Sequence, residues 1–239
     1  MNLLELGVVA KNTAKKAGKF LLTQKSEEKL ISSEKGRDIK LELDRKTEEL
    51  IRKELAITKI QVQGEEIVSK IDQKLRWVVD PIDGTANYFR GLNQCCVSIA
   101  LMNQHECQIG VIYDFNSNEC YEAIKDHGAK LNNMSIRVSS ITEKNKASLT
   151  TGFPASESVN SSLDFLEDLK GWKKMRMFGS AALSCAYVAS GKCDFYAEKG
   201  VYLWDFAAGI CLVEEAGGKA EFSLIDGERY SVKFSNGKL

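Results

Sequence analysis

The segment Trp77-Val78-Val79-Asp80-Pro81-Ile82-Asp83-Gly84-Thr85-Ala86-Asn87 constrains this chain more than any other. Its mostly apolar start, from Leu75, predicts a buried strand, and the strand delivers Asp80 at its carboxyl end, where α/β folds place ligands. A turn through Pro81 then carries Asp83 to Gly84 and Thr85, which open a short helix. Taken singly, Asp80 is an ordinary turn aspartate and Asp83 an ordinary helix cap. Together they place two carboxylates beside a run of free backbone N–H groups. Carboxylates of this kind favour a hard divalent cation, and exposed N–H groups favour a phosphate, so the pattern points to metal-assisted chemistry on a phosphate ester.

A chain of 239 residues suffices for one α/β domain, read here as a single unit over 1–239 with approximate lobes 1–140 and 141–239. Lysine and arginine balance aspartate and glutamate at 33 each, so no global basic field exists to hold a nucleic-acid polymer. Seven scattered cysteines without a CxxC pair, and two isolated histidines, argue for reduced thiols and against zinc. The lysine-rich amphipathic N-terminus lacks the long apolar core of a signal peptide, and no run matches a membrane span. A soluble, cytoplasmic protein with no membrane partner is expected.

Periodicity predicts a helix over 3–24, with Leu4, Val8, Ala14 and Leu21 among its apolar positions, and a polar loop over 26–40. Asp44 is expected to cap a second helix running to Leu55. Strands are expected near 60–63 and 75–80, and a meander over 95–102, 108–113 and 119–123. Further strands are expected near 147–151, 173–178, 195–197, 219–223 and 230–235. Helices are expected near 161–170 and over 180–190. A helix over 204–216 stops at Gly217-Gly218. The Ile60–Gln63 strand lies close in sequence to that of Asp80; if the two pair, Glu65 comes near Asp80, although adjacent acids such as Glu65 and Glu66 are more often a solvated turn. Converging carboxylates repel unless cations neutralise them, and oxygen-only donors point to Mg²⁺. The helix-opening Asp205 reads, on periodicity, as a dipole partner. An EF-hand is excluded, because its alternating oxygen ligands ending in glutamate are absent.

Asp80-Pro81-Ile82-Asp83-Gly84-Thr85-Ala86-Asn87-Tyr88 resembles the first signature of the inositol monophosphatase family, lithium-sensitive Mg²⁺ phosphatases. Trp204-Asp205-Phe206-Ala207-Ala208-Gly209 through Gly217-Gly218 resembles the second. Gly64-Glu65-Glu66, Gly179-Ser180-Ala181-Ala182 and Asp194-Phe195-Tyr196-Ala197-Glu198 are similar to three shorter family segments, in the right order. The resemblance implies an α/β (α+β) fold, a layered αβαβα sandwich. It also implies that Glu65, Asp80, the Ile82 carbonyl, Asp83 and Asp205 ligate two or three Mg²⁺ ions. Thr85, supported by Asp44 and Glu65, would orient and help deprotonate the attacking water. Backbone N–H groups of Gly84 and Thr85 would hold phosphate. Asp83, Gly179, Ser180, Ala181, Asp194, Glu198 and Asp205 would contact the rest of a small phosphorylated metabolite. A homodimer is implied by resemblance alone.

The implied reaction is hydrolysis of a small polyol phosphate such as inositol 1-phosphate. Fructose 1,6-bisphosphate, histidinol phosphate and 3′-phosphoadenosine 5′-phosphate are alternatives within the same superfamily. Arg176 and Lys199 are the charges available for a second phosphate, and Glu198 favours a hydroxyl-rich substrate. A non-catalytic metal- or nucleotide-binding relative is the alternative from another class, disfavoured because every implied ligand is present.

Overall fold

The computed structural model describes residues 1–25, 31–35, 38–153 and 170–239. In chain order the elements are α1 (Leu3–Thr23), β1 (Ile31–Lys35), β2 (Asp38–Leu41), α2 (Glu42–Leu55), β3 (Val62–Gly64), β4 (Leu75–Asp83) and α3 (Thr85–Arg90). The meander follows as β5 (Cys96–Asn103), β6 (Glu106–Asp114), β7 (Glu119–Ile124), β8 (Ala129–Leu131) and β9 (Met134–Ser135). The second half holds β10 (Ser148–Thr151), β11 (Lys174–Arg176), α4 (Ala181–Ala189), β12 (Phe195–Tyr202), α5 (Leu203–Glu215), β13 (Lys219–Asp226) and β14 (Arg229–Ser235).

Two mixed sheets form the frame. One has seven strands in the order β3-β4-β5-β6-β7-β8-β9, and the other five in the order β11-β10-β12-β14-β13. Helices α1 and α2 cover one face of the larger sheet, and α4 and α5 lie between the two sheets. Both faces of the larger sheet and the inner face of the smaller one are thus covered: one core sits under α1 and α2 around Trp77, Ile82 and Tyr88. The other sits around α4 and α5 with Phe206, Tyr196 and Phe234. These layers carry the expected α/β sandwich; the helix expected near 161–170 lies outside the described residues apart from its last position. Among the described residues no helix is long and apolar enough to cross a membrane.

Several boundaries differ from expectation for identifiable reasons. Helix α1 buries Leu6, Ala10, Ala14, Ala17 and Leu21, while Leu4 and Val8 are exposed. Its small-residue stripe, spaced three or four apart, allows close packing on the sheet. A capping box starts it, with Asn2 and Glu5 exchanging 2.9 Å bonds, a device worth about 1 kcal/mol. Part of the expected 26–40 loop is the antiparallel β1–β2 hairpin, in which Lys35 pairs with Asp38. Helix α2 starts two residues before Asp44, which is therefore the third helical residue and not its cap. All seven cysteines are free and buried.

Candidate active site

The backbone of β4 makes the first half of the site. Ordinary alternation would send side chains three residues apart to opposite faces of a sheet. In β4, however, Asp80 pairs with Ser98 and Asp83 with Cys96, so one extra residue is inserted between them. This bulge at Pro81-Ile82 brings both aspartates into one cavity, and proline is tolerated because a bulge needs no ladder N–H there. The strand thus continues through Asp83, beyond the turn expected after Asp80. Parallel pairing of β3 with β4 sets Gly64 beside Val79 and delivers Glu65 next to Asp80.

Gly84 then turns the chain at φ +89°, and a Cβ there would stand 2.7 Å from the Gln94 carbonyl oxygen. Positive φ and that close approach together demand glycine. The Thr85 hydroxyl lies 2.9 Å from the Ile82 carbonyl and 3.2 Å from Asp44 Oδ1. Asp44 is held in turn by the Leu41 N–H, 2.6 Å from its other oxygen. Asn87 Nδ2 donates to the Gln94 and Phe178 carbonyls, both at 2.7 Å, and so ties α3 to the segment leading into α4.

The second half comes from the elements around the smaller sheet. Ser180 caps α4, accepting from Leu183 N–H while its hydroxyl donates to Asp83 Oδ2. The Ala182 N–H donates to the same oxygen at 2.9 Å, and Ala181 N–H to Oδ1 at 3.2 Å. Asp83 therefore sits on the N-terminus of α4, where the helix dipole favours a carboxylate. Asp205 occupies the third position of α5 and accepts from Tyr202 N–H at 2.8 Å. Glu198 projects from β12, with the Tyr196 hydroxyl 3.0 Å from its Oε2.

The cavity these elements enclose is about 250 Å³ and is lined by Glu65, Asp80, Ile82, Asp83, Gly84, Thr85, Gly179, Ser180, Ala181, Glu198 and Asp205. Asp44 does not line it but bonds Thr85, which does. Phe153, Val201 and Tyr202, which sequence reasoning passed over, add apolar wall. Cys96 was also missed: its thiol stands 3.6 Å from Asp83 Oδ2, buried in a run that reads as plain core.

Asp194 does not join the cavity. Its carboxylate is occupied by the Ser139 hydroxyl and the Ser148 N–H, the latter at 2.6 Å. It precedes β12, four residues upstream of Glu198 and about 13 Å away along an extended strand. Arg176 and Lys199 do not line the cavity either.

Electrostatics set the cavity's demand. Burial, followed by the charges of Glu65, Asp83, Asp205 and Asp44, pushes the Asp80 carboxyl well above its ordinary range. Burial and Glu65 do the same to Asp205. Asp83 is raised by burial, opposed by its donors Ser180, Ala182, Ala181 and Cys96. Glu198 is raised by burial to about 7. No lysine or arginine among the described residues lines the cavity. Among the described residues no three His, Cys, Asp or Glu side chains form a ready-made cage. An all-oxygen set of clustered carboxylates nevertheless has the chemistry of a hard divalent cation site.

The model of the inositol monophosphatase family matches residues 2–235. The chain is 40% identical over 212 residues to the Nus factor SuhB of Xylella fastidiosa, covering 86% of this chain and 77% of that protein. It is similar in structure to the extragenic suppressor protein SuhB of Bartonella henselae, at TM-score 0.88 and 32% identity, covering 95% of this chain and 93% of that one. The inositol monophosphatase of Anabaena (Nostoc) sp. PCC 7120 superposes with TM-score 0.85 at 30% identity, covering 100% of this chain and 93% of that one. With a family match over nearly the whole chain, and with phosphatases among its structural relatives, this chain belongs to the inositol monophosphatase family.

Proposed function

We propose that this chain is a Mg²⁺-dependent phosphomonoesterase acting on a small polyol monophosphate of the inositol 1-phosphate kind. One observation carries the reading: Glu65, Asp80, Asp83 and Asp205 line one cavity together with Glu198, and no lysine or arginine among the described residues lines it. A substrate with one phosphate and several hydroxyls matches such a cavity; a second phosphate would lie against Glu198 with no lysine or arginine of the described residues in the lining. That disfavours bisphosphates.

Glu65, Asp80, the Ile82 carbonyl, Asp83 and Asp205 would hold two or three ions. When bound, the ions supply Lewis-acid charge at the phosphate and at the attacking water. Thr85 acts on that water: its hydroxyl, held between Ile82 O and Asp44, can pass a proton toward the Asp44 carboxylate. Gly84 and Thr85 N–H groups receive phosphate oxygens. Ser180 and Ala181 fix the face of Asp83, and Glu198 accepts a substrate hydroxyl.

Phosphate release with Mg²⁺ from inositol phosphates, fructose bisphosphate, histidinol phosphate and phosphoadenosine phosphate tests the reading. The inositol monophosphate is expected to lead, with Li⁺ inhibiting; silence across the panel overturns it. A second reading follows from a relative's name, Nus factor SuhB. A non-catalytic role of that kind predicts that Asp83→Asn, inactive in hydrolysis, rescues a deletion strain. Failure to rescue ties the cellular role to hydrolysis.

A further inference from the structure

Asp44, Glu48 and Arg52 recur every fourth residue on α2 and so share one face of the helix. Asp44 reaches Thr85. Glu48 is fully buried, and none of the proposed chemistry uses it. Its Oε2 accepts the Glu66 N–H at 2.7 Å, and its Oε1 accepts the Ile67 N–H at 3.3 Å and Arg52 Nε at 2.7 Å. Arg52 then donates from Nη2 to the Ile67 carbonyl at 2.8 Å. The chain from Gly64 to Ile67 is therefore wrapped around one carboxylate and gripped at its N–H and C=O groups alike. Gly64 completes the fit, because a Cβ there would lie 2.0 Å from Glu48 Oε1.

Glu65 lies inside this wrapped segment. A buried, ion-paired carboxylate is a costly way to hold a loop, since charges taken out of water need several good bonds to break even. Its effect is geometric. It sets the direction in which Glu65 leaves β3, opposite Asp80.

We infer that Glu48, locked by Arg52, is the positioning residue for Glu65, so that one face of α2 aligns both Thr85 and the first carboxylate of the cation site. The inference rests on the proposed cation-dependent reading. Groups that orient metal ligands from behind are typically worth about 10–100-fold in metal affinity or activity.

Mg²⁺ titration calorimetry on the full chain without substrate, with circular dichroism and the Mg²⁺ dependence of phosphate release alongside, provides the test. In Glu48→Gln the amide still fills the space but loses the charge that fixes Arg52. Mg²⁺ affinity is expected to fall about tenfold or more, with native circular dichroism, little change in substrate KM, and recovery of much of the rate at high Mg²⁺. Arg52→Lys, which keeps charge but loses the fork to Ile67, should follow in the same direction and stands in if Glu48→Gln does not fold. Gly64→Ala should misfold or lose Mg²⁺ affinity. Adding Glu48→Ala should restore its fold but not its affinity, which separates positioning from packing. Native Mg²⁺ affinity in folded Glu48→Gln, or in Arg52→Lys standing in for it, overturns the inference. Absence of Mg²⁺ binding by the native chain overturns the cation-site reading itself.

Discussion

Asp80 and Asp83 leave the same bulged strand for the same cavity, yet their surroundings are opposite. Asp83 collects Ser180, Ala181, Ala182 and Cys96 as donors at the N-terminus of α4. Asp80 has the Ile82 N–H at 3.0 Å, in an Asx-type turn, and otherwise faces Glu65, Asp83, Asp205 and Asp44. The difference divides the site. Asp80 stands among other carboxylates with one backbone donor, whereas Asp83 is held by donors that α4 and β5 bring to it. On the proposed cation-dependent reading, a cation would be needed most beside Asp80, while the donors around Asp83 and the walls near Glu198 would supply shape.

Substitution at Asp80 should separate the halves most strongly. Asp80→Asn is expected to lower activity at least about a hundredfold, more than loss of an outer-shell group would. In the cation-free protein it should raise the thermal midpoint. A carboxyl whose folded pKa lies above its unfolded value destabilises the fold once pH exceeds the unfolded value. Cation-free native protein should accordingly lose stability as pH rises from mildly acidic toward 8, and Mg²⁺ should erase that slope. A flat stability–pH curve without cation would contradict the division. Thr85→Ala comes next: kcat should drop about a hundredfold, the scale of a lost proton-transfer partner, with calorimetric Mg²⁺ affinity within a few-fold of native. A large loss of affinity instead would make Thr85 part of the cation site.

The same division explains what could be read before folding. The first half is written in contiguous residues, and apolar run, proline, glycine and threonine each carry a local rule. Even there the bulge was hidden, because Pro81 signals a turn as readily as an inserted residue. Asp44 reads as an N-cap but stands three positions further in, since an N-cap and a third-position aspartate both accept N-terminal N–H groups and sequence alone does not tell them apart. Glu48 and Arg52 were invisible, because an i,i+4 ion pair is written the same way whether solvent or a wrapped loop surrounds it. The second half is assembled from helix ends and a strand far apart in the chain. Only the family resemblance pointed to Ser180 and Glu198, and it also swept in Asp194.

Glu198 tests the shaping half. Glu198→Gln should raise KM about tenfold, the size of one charge-assisted hydrogen bond, with a smaller effect on kcat. The carboxyl is held near 7 by burial and the charge of Asp83, and Tyr196 opposes the shift. Cations bound as proposed would offset Asp83 and move the titration downward. Native KM should therefore climb as pH falls through the acidic side of 7 and the acceptor is protonated, and the variant should lack that inflection. Superimposable KM–pH profiles for the two proteins would remove Glu198 from substrate contact.

Asp194 should show the smallest effect on catalysis. Its carboxylate joins Ser139 to the start of β10, and its backbone N–H and C=O bond Ser148 and Asn236. Asn236 Nδ2 closes the loop on the Ser139 hydroxyl at 3.0 Å. Asp194→Ala leaves a half-buried Ser148 N–H and the Ser139 hydroxyl without their acceptor, a loss of about 1–3 kcal/mol. Chemical denaturation should record that loss, while kcat and KM for the preferred substrate stay within about twofold, a shift of only ~0.4 kcal/mol. The opposite pattern, native stability with a raised KM, would return Asp194 to the substrate-binding residues and show that the carboxylates of the smaller sheet act as one group rather than two.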